Sequence, residues 1–337
     1  MRKGDGIMNR RMCVVALACF GLAPAFAAVD GVVINGTTGK PQPNVIVSLL
    51  QPGQAGMQTL GSTKTDAEGK FRIDKEAQGP QLVQALYAGV QYNKMVFPGA
   101  PPTGIQVDVF DATSKAGAAK VTQHFIVLQP GPTETTVSEG ILYQDEGKTT
   151  FSDPVNGDCR FYLPQEAKGK VTVTVNAPGG MPIQRPAQPT KEPNVYKVSY
   201  PLKPGETRFD LNYVIPTTNP MFFSTKILHT EGASDLVAPN GVTLKGDDIE
   251  LAGQEPKTQA SIYRIKNASF KVEVEGTGAL QQPGASDSQS QDDSGQPTIE
   301  EVKPRIYDRL YWILGMSFGI LALGSALLYR STAKGRS

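Results

Sequence analysis

Residues 31–49, which read GVVINGTTGKPQPNVIVSL, contain the clearest local strand pattern of the sequence. Near the end of this stretch, Val45, Val47 and Leu49 alternate with two other residues. Such period-two alternation is typical of a strand, because it places one set of side chains on a buried sheet face and the other in water. The segment before it contains Gly, Asn and Pro, which are typical of turns. The stretch therefore predicts two strands joined by a short connection.

Further along the chain, residues 63–73 read TKTDAEGKFRI and predict a second turn that leads into a strand. Asp66 can bond back to nearby backbone N–H groups, and Gly69 tolerates a positive φ. Together, the G-x-V strand, the T-G-x-P turn, the V-x-V-x-L strand and the T-D-x-x-G-x-F hairpin resemble the carboxypeptidase regulatory-like domain. The resemblance covers residues 28–114 and implies a transthyretin-like β-sandwich, an accessory module of many secreted proteins. It implies no particular activity.

Short alternating runs separated by turn residues continue through most of the chain, with clear examples around Val173, Leu211 and Val272. No segment before the C-terminal apolar stretch has helical periodicity, and uneven segment lengths disfavour a closed barrel. We therefore expect an all-β ectodomain of tandem antiparallel β-sandwiches. In this prediction residues 115–216 form the second sandwich. Residues 217–276 form either a β-rich third segment or part of the second sandwich.

Residues 1–27 have the parts of a secretory signal peptide. A basic start precedes an apolar run, and Ala25 and Ala27 fit the small-residue pattern of a cleavage site, which we place after Ala27. An uncleaved anchor is a less favoured alternative, because the apolar run is too short to span a bilayer. A lipoprotein anchored at Cys19 is also less favoured, because Ala16 stands where a lipobox usually has leucine.

The sequence also predicts one transmembrane helix at residues 310–329, which read LYWILGMSFGILALGSALLY and carry no charge. At about 1.5 Å per residue, this helix covers the roughly 30 Å hydrocarbon thickness of a bilayer. The tail at residues 330–337 carries three cations and is expected in the cytoplasm. With the signal peptide, this predicts a single-pass protein whose N-terminus is outside. The polar residues 277–309 are expected to form a disordered stalk.

Four small residues form a stripe on one face of the predicted transmembrane helix: Gly315, Gly319, Ala322 and Ala326. Such stripes let helices approach closely in lipid, so this one predicts weak self-association. The alternative is that small residues are simply frequent in transmembrane helices. Residues 315–319 also match the G-x-S-x-G motif of serine hydrolases, but an apolar membrane segment is the wrong context for that nucleophile.

No catalytic, cofactor-binding or metal-binding site is predicted. The two histidines, His124 and His229, are far apart in the sequence, and neither starts a zinc-binding motif, so both are interpreted as ordinary strand or loop residues. Without a zinc signature, the resemblance does not imply peptidase activity. Three acidic groups are interpreted as solvated turn residues rather than calcium ligands: Asp66 with Glu68, Asp153 with Asp158, and Asp247 and Asp248 with Glu250.

Cys159 is the cysteine that remains after cleavage, since Cys13 and Cys19 lie in the signal peptide. It alternates with Phe161 and Leu163, which predicts a buried small side chain rather than an intermolecular disulfide or a reactive thiol.

Two further groups of residues concern glycans. Six aromatic residues are candidates for stacking on sugar rings, although most are expected in the core: Tyr87, Tyr92, Phe97, Tyr143, Tyr196 and Tyr200. The sequons at residues 35–37 and 267–269 matter only in a eukaryotic secretory pathway, which the short, bacterial type of signal peptide disfavours.

The charge balance excludes nucleic acid as an expected partner, because 33 Lys and Arg residues nearly match 32 Asp and Glu residues. We expect a non-catalytic binding or scaffolding protein, anchored in a bacterial inner membrane, with its ectodomain in the periplasm or outside the cell. The sandwiches are expected to present surfaces to an envelope protein or a glycan. The alternatives are an accessory subunit of a membrane enzyme, transport or assembly complex, and an enzyme whose site the sequence does not reveal.

Overall fold

A computed structural model describes residues 28–53, 56–75, 79–115, 118–229 and 231–280. These residues are nearly all β, as the alternating pattern predicts. Within them, no helix combines the length and the apolar character needed to cross a membrane. The remaining predictions lie outside the described residues: the signal peptide, the stalk beyond residue 280, the transmembrane helix, the cytoplasmic tail, and the stripe of Gly315, Gly319, Ala322 and Ala326.

The N-terminal region is built from strands that form two sheets: β1 (Val29–Asn35), β2 (Lys40–Pro41), β3 (Ile46–Gly53), β4 (Gly56–Lys64), β5 (Lys70–Ile73), β6 (Gln81–Tyr87), β7 (Val90–Val96) and β8 (Ile105–Val109). In one sheet the order is β4-β3-β6-β7 and all pairs are antiparallel. In the other, β1 pairs antiparallel with β2 and β5, and in parallel with β8.

Inward residues of both sheets form one hydrophobic cluster, the N-terminal core. Val33 of β1 and Val107 of β8 belong to it, together with Val47 of β3 and Val83 of β6, and none of the four is more than 2% exposed. Ile46, the neighbour of Val47, is 39% exposed on the outer face. The alternation in residues 45–49 therefore predicts correctly which side chains of β3 are buried.

The turn predicted at Asp66 and Gly69 is present. A carboxylate oxygen of Asp66 accepts hydrogen bonds from the backbone N–H groups of Glu68 and Lys70. Gly69 has a φ of +71°, and a Cβ there would lie 2.8 Å from the carbonyl oxygen of Val33. Glycine is therefore needed here both for the backbone conformation and for the close approach to β1.

β9 (Ala112–Thr113) follows β8 and ends the N-terminal region, which covers residues 28–114. The rest of the described chain, the C-terminal region, forms a 3-10 helix (Gln165–Ala167) and these strands: β10 (Lys120–Pro130), β11 (Glu134–Asp145), β12 (Thr150–Phe151), β13 (Cys159–Tyr162), β14 (Thr172–Asn176), β15 (Ile183–Arg185), β16 (Gln188–Pro189), β17 (Val195–Val198), β18 (Gly205–Pro216), β19 (Met221–Lys226), β20 (Ala233–Ala238), β21 (Thr243–Lys245), β22 (Ile249–Gln254), β23 (Ser261–Ile265) and β24 (Ser269–Glu275).

An eight-stranded sheet dominates this C-terminal region, in the order β15-β14-β18-β11-β10-β20-β23-β22. Two three-stranded sheets accompany it, β13-β17-β16 and β19-β24-β21. Inward residues of all three sheets form a second hydrophobic cluster, the C-terminal core, which includes Phe161, Phe209 and Phe223.

Residues 115–216 and 217–276 share this sheet and this core. β10 comes from the first range and β20 from the second, and they pair in parallel from Gln123 with Ala233 to Val127 with Val237. Leu211 and Leu236, one from each range, belong to the same cluster and are 0% exposed.

Three strand pairs differ from the expectation of antiparallel sheets: β1 with β8, β9 with β12, and β10 with β20 are parallel. Alternation along one strand cannot reveal this, because parallel and antiparallel strands have the same side-chain period. Parallel neighbours need a long connection, and nine strands separate β10 from β20 along the chain.

Candidate functional site

Buried polar side chains cross the eight-stranded sheet on its core side. His124 of β10 shares an inward face with Ile126 and Leu128, which are 0% exposed. By the same alternation, Glu139 of β11 and Tyr213 of β18 also point inward. His124, Glu139 and Tyr213 are each 3% exposed.

The register of the strands brings these side chains together. His124 lies opposite Ile141, two positions from Glu139 on β11. Tyr213 lies opposite Val137, two positions from Glu139 on the other side. Diagonal neighbours on one sheet face lie roughly 7–8 Å apart, within reach of long side chains. The three polar residues therefore form a diagonal row across three adjacent strands.

Hydrogen bonds connect this row to the second histidine. The Tyr213 hydroxyl donates to Oε1 of Glu139, and Oε2 of Glu139 lies 3.3 Å from Nε2 of His124. Nδ1 of His124 lies 2.9 Å from Nε2 of His229, and Nδ1 of His229 lies 2.7 Å from the carbonyl oxygen of Glu231. We call Tyr213, Glu139, His124 and His229 the polar chain. Because His229 is only half-buried, the polar chain runs from the core to the surface.

Burial shifts the pKa values of the residues at the two ends of the polar chain, Tyr213 and His229. Burial, and next the charge of Glu139, raises the pKa of Tyr213 well above its ordinary value, so its phenol stays neutral. Burial, and next the neighbouring His124, lowers the pKa of His229, while the Glu231 carbonyl acts in the opposite direction. In this buried environment hydrogen bonds between the side chains are strong, and a net charge is disfavoured.

The interpretation of both histidines as ordinary strand or loop residues misses this contact. A separation of 105 residues lies between His124 and His229, so no short motif can predict their pairing. One signal is present in the sequence: His124 occupies an inward position with Ile126 and Leu128, and Glu139 stands between inward Val137 and Ile141. A charged residue at a core position is rare unless it is paired.

Within the described part of the chain, no group of three or more His, Cys, Asp and Glu residues is arranged to hold a metal ion. In the polar chain the two inner nitrogens face each other, and the outer nitrogens have hydrogen-bond partners in Glu139 and Glu231. The chemistry that this geometry supports is the holding and sharing of protons.

Cys159 lies close enough to the polar chain to interact with the charge of Glu139. It is a free cysteine at 1% exposure, which confirms the prediction of a buried small side chain. Burial raises the pKa of the Cys159 thiol to about 12, and the charges of Asp158 and Glu139 add to the effect of burial.

A second polar cluster lies within the N-terminal region, around Asp111, which directly precedes β9. Nδ2 of Asn35 donates to Oδ1 of Asp111 at 2.8 Å and to Oε1 of Gln42 at 2.9 Å. The Tyr87 hydroxyl donates to the same Asp111 oxygen at 2.8 Å. Asn35 is only 2% exposed and its amide nitrogen is engaged, so the sequon at this position is closed to a glycan.

Further contacts link the N-terminal region directly to the C-terminal region. The Thr37 hydroxyl donates to the carbonyl oxygen of Lys148, and the hydroxyls of Tyr92 and Thr150 lie 2.8 Å apart. The Lys203 ammonium group lies 5.1 Å from the centre of the Tyr92 ring, and burial lowers the pKa of Lys203 to about 8. We call these contacts, the Asn35–Asp111 cluster and the β9–β12 pair the junction.

Five of the six candidate aromatic residues pack on the cores. Tyr92 belongs to the N-terminal core and Tyr87 packs against it. Tyr143, Tyr196 and Tyr200 pack against the C-terminal core. Phe97 is 67% exposed. A ring that stacks on a sugar must expose its face, so Phe97 is the strongest of the six candidates.

Among the acidic residues considered as calcium ligands, Asp66 and Asp153 form hydrogen bonds within turns, whereas Glu250 lies in β22. Asp66 and Asp153 each accept hydrogen bonds from backbone N–H groups within four residues of themselves. Asp248 accepts a hydrogen bond from Nδ2 of Asn267 at 2.6 Å. Asp158 differs from the prediction of a solvated carboxylate, because it is 6% exposed and accepts from the backbone N–H of Asp153.

An open groove of about 570 Å³ lies between the 3-10 helix and the C-terminal end of β18. Glu134 and Glu166 line it together with Lys168 and Lys170. Because both signs of charge occur in its wall, the groove does not indicate one class of ligand.

A comparison with protein-family models found no match, and a comparison with curated proteins found none either. The resemblance of residues 28–114 to the carboxypeptidase regulatory-like domain therefore stays a prediction.

Proposed function

We propose that this protein is a non-catalytic binding or scaffolding protein, anchored in a bacterial inner membrane, with its ectodomain outside the cytoplasm. In this proposal the two regions are tandem β-sandwiches, and the first is transthyretin-like. The signal-peptide and transmembrane patterns in the sequence support the location. The two cores, each lined by facing sheets, support the sandwich architecture.

The junction is the observation that carries this proposal. Two modules on a flexible linker would reorient freely, so their surfaces would not act together. Here the β9–β12 pair, the hydroxyls of Thr37 and Tyr92, and a hydrogen bond from the backbone N–H of Thr150 to the Asp111 carbonyl hold one region against the other. Tyr92 and its partner Thr150 are buried, where hydrogen bonds are strong and an unpaired partner is costly. A fixed junction lets both regions contact one partner at the same time, as a scaffold requires.

A protein is favoured over a glycan as the partner. Most of the aromatic rings that could stack on sugars pack on the cores instead. On the outer face of the N-terminal region, Ile46 and Leu86 lie directly opposite each other on β3 and β6 and are 39% and 40% exposed. Exposed apolar side chains that lie next to each other, as these two do, can form part of a protein contact site.

Site-specific photo-crosslinking of the full-length protein in cells tests the proposal. A photoreactive residue replaces Leu86, Phe97 or Leu251, which are 40%, 67% and 62% exposed. The crosslinked products are purified and identified by mass spectrometry. We expect one dominant envelope protein, captured on irradiation and absent from samples kept in the dark.

Failure to capture any protein above the dark background at all three positions would contradict a protein-binding scaffold. Binding of the ectodomain to purified envelope glycans would then assign the glycan role instead. Capture of a membrane enzyme or transporter as the dominant product would replace general scaffolding with the accessory-subunit role.

A further inference from the structure

The hydrogen bonds of the polar chain fix where one of its protons must lie. A backbone carbonyl can only accept a hydrogen bond, so Nδ1 of His229, 2.7 Å from the Glu231 carbonyl oxygen, must carry a hydrogen. A neutral imidazole carries one hydrogen on its two ring nitrogens taken together. Nε2 of a neutral His229 is therefore an acceptor, and it needs a donor from His124.

His124 cannot satisfy both of its neighbours if it is neutral and Glu139 is ionised. A hydrogen on Nε2 would serve Glu139 but leave two lone pairs facing each other across the 2.9 Å between His124 and His229. A hydrogen on Nδ1 would serve His229 but leave a lone pair facing the carboxylate. Tyr213 offers no relief, because its hydroxyl donates to the other oxygen of Glu139.

One additional proton removes both conflicts. It can lie on Glu139, whose carboxyl then donates to His124, or on His124, which then donates at both nitrogens. It can also lie on His229, whose Nε2 then donates to His124. In each arrangement every close contact has one hydrogen, and the group carries no net charge.

We propose that the polar chain holds a single shared proton. The hydrogen bonds that need this proton hold the connection between β19 and β20 against the eight-stranded sheet, so the stability of this part of the fold depends on pH. His229 lies in that connection, which leads from the β19-β24-β21 sheet to the eight-stranded sheet. Both sheets enclose the C-terminal core. When its hydrogen bonds are formed, His229 therefore helps to hold these two sheets together.

The surrounding groups favour retention of the proton. Glu166 of the 3-10 helix interacts with Tyr213, and Cys159 of β13 interacts with Glu139. Cys159 in turn interacts with Tyr143 and Asp158. Each of these groups is neutral or negative, so none offsets the charge of an ionised Glu139. A second proton is disfavoured for the opposite reason, because it would leave the buried group with a net positive charge.

The pH response has a defined sign. Above about pH 6.5 an unfolded chain has neutral histidines and ionised carboxylates, so a folded chain that holds the shared proton binds one proton more. Folding then takes up a proton, so stability falls as pH rises. Below that value the unfolded chain takes up more protons than the folded one, so stability falls again. The hydrogen bonds that hold His229 are therefore strongest near about pH 6.5, where the two effects balance.

Nuclear magnetic resonance of the full-length chain with labelled histidine tests the shared proton directly, because the two histidines give two ring systems. We expect His229 to carry its hydrogen on Nδ1, and both rings to change together in one pH step. Two independent titrations, each like that of a free histidine, would overturn the proposal. Loss of the joint step on addition of a chelator would also overturn it, because it would assign the bridge to a metal ion.

A matched pair of variants on β11 gives a second test. Glu139→Gln replaces the carboxylate with an amide that donates to His124 and accepts from Tyr213 without an extra proton. Glu134→Gln makes the same change at an exposed position of the same strand. When the pH is raised from 6.5 to 8, we expect the melting temperatures of Glu134→Gln and of the unaltered protein to fall. The fall should be larger than that of Glu139→Gln by about 3 °C or more. Equal pH dependence in both variants would refute the shared proton, and if Glu139→Gln does not fold, the resonance experiment alone decides.

Discussion

At Cys159, burial determines the chemistry of the side chain. Its pKa of about 12 leaves a negligible fraction of reactive thiolate near neutral pH. We expect no alkylation of the mature folded protein by iodoacetamide at pH 8, and complete alkylation after unfolding in guanidinium chloride. The mass of the intact protein measures both states. Rapid alkylation of the folded protein would show that the thiol reaches solvent.

Lys203 makes the stability of the junction depend on pH. Burial lowers its pKa to about 8 in the folded state, whereas an unfolded lysine titrates near about 10.4. Between these values the unfolded chain binds a proton that the folded chain lacks, so the free energy of unfolding rises with pH. We expect Lys203→Met to remove this rise and to increase the free energy of unfolding at pH 7 by about 1 to 2 kcal/mol.

Urea unfolding at several pH values between 7 and 10 measures this effect. Lys120→Met, at an exposed position of β10, is the matched control. The difference in the free energy of unfolding between the two variants should shrink as pH rises from about 8 toward about 10. A difference that stays constant would mean that Lys203 is not buried at the junction.

At the scale of the elements, the parallel pairing of β1 with β8 depends on Gly31. This residue lies opposite Ile105, and a Cβ on it would come within 1.9 Å of the Ile105 carbonyl oxygen. We expect Gly31→Ala to lower the free energy of unfolding by about 2 to 3 kcal/mol, because the backbone of β8 must shift. Gly253→Ala in β22 is the control, since a Cβ there meets nothing within 4 Å. Equal stability of the two variants would argue against the β1–β8 pair.

Features that depend on neighbouring residues can be predicted from this sequence. The buried face of β3 follows from the alternation of Val45, Val47 and Leu49, and the turn at Asp66 and Gly69 follows from local turn chemistry. The parallel orientation of β8 and β20 cannot be predicted in this way, because strand orientation does not change the alternation. It depends on long connections and on which strand covers which part of the core.

The polar chain shows the same limit at a site. Inward positions for His124 and Glu139 can be derived from the alternation of β10 and β11. The contact of His229 with His124 cannot be derived from the sequence. His229 lies in a connection whose position depends on the pairing of β20 with β10. A buried charge at a strand position indicates that a partner exists, but the sequence does not identify the partner.

At the scale of the described chain, two cores meet at one polar junction. The hydrogen bonds of Thr37 and Tyr92 cross this junction, while the residues of each core lie on one side of it. Substitutions that remove these hydroxyls without changing side-chain size should therefore loosen the junction and leave both cores intact. This property separates the fixed arrangement of the two regions from the stability of each one.

The most direct test of the scaffold is the amount of envelope partner that co-purifies from cells when the junction is loosened. The junction variant combines Thr37→Val with Tyr92→Phe, and the control combines Thr136→Val with Tyr162→Phe, away from the junction. Loss of two hydrogen bonds costs about 1 to 3 kcal/mol, so we expect the junction variant to retain at least about 5-fold less partner than the control. Equal retention by the two variants would contradict a scaffold that presents both regions to one partner.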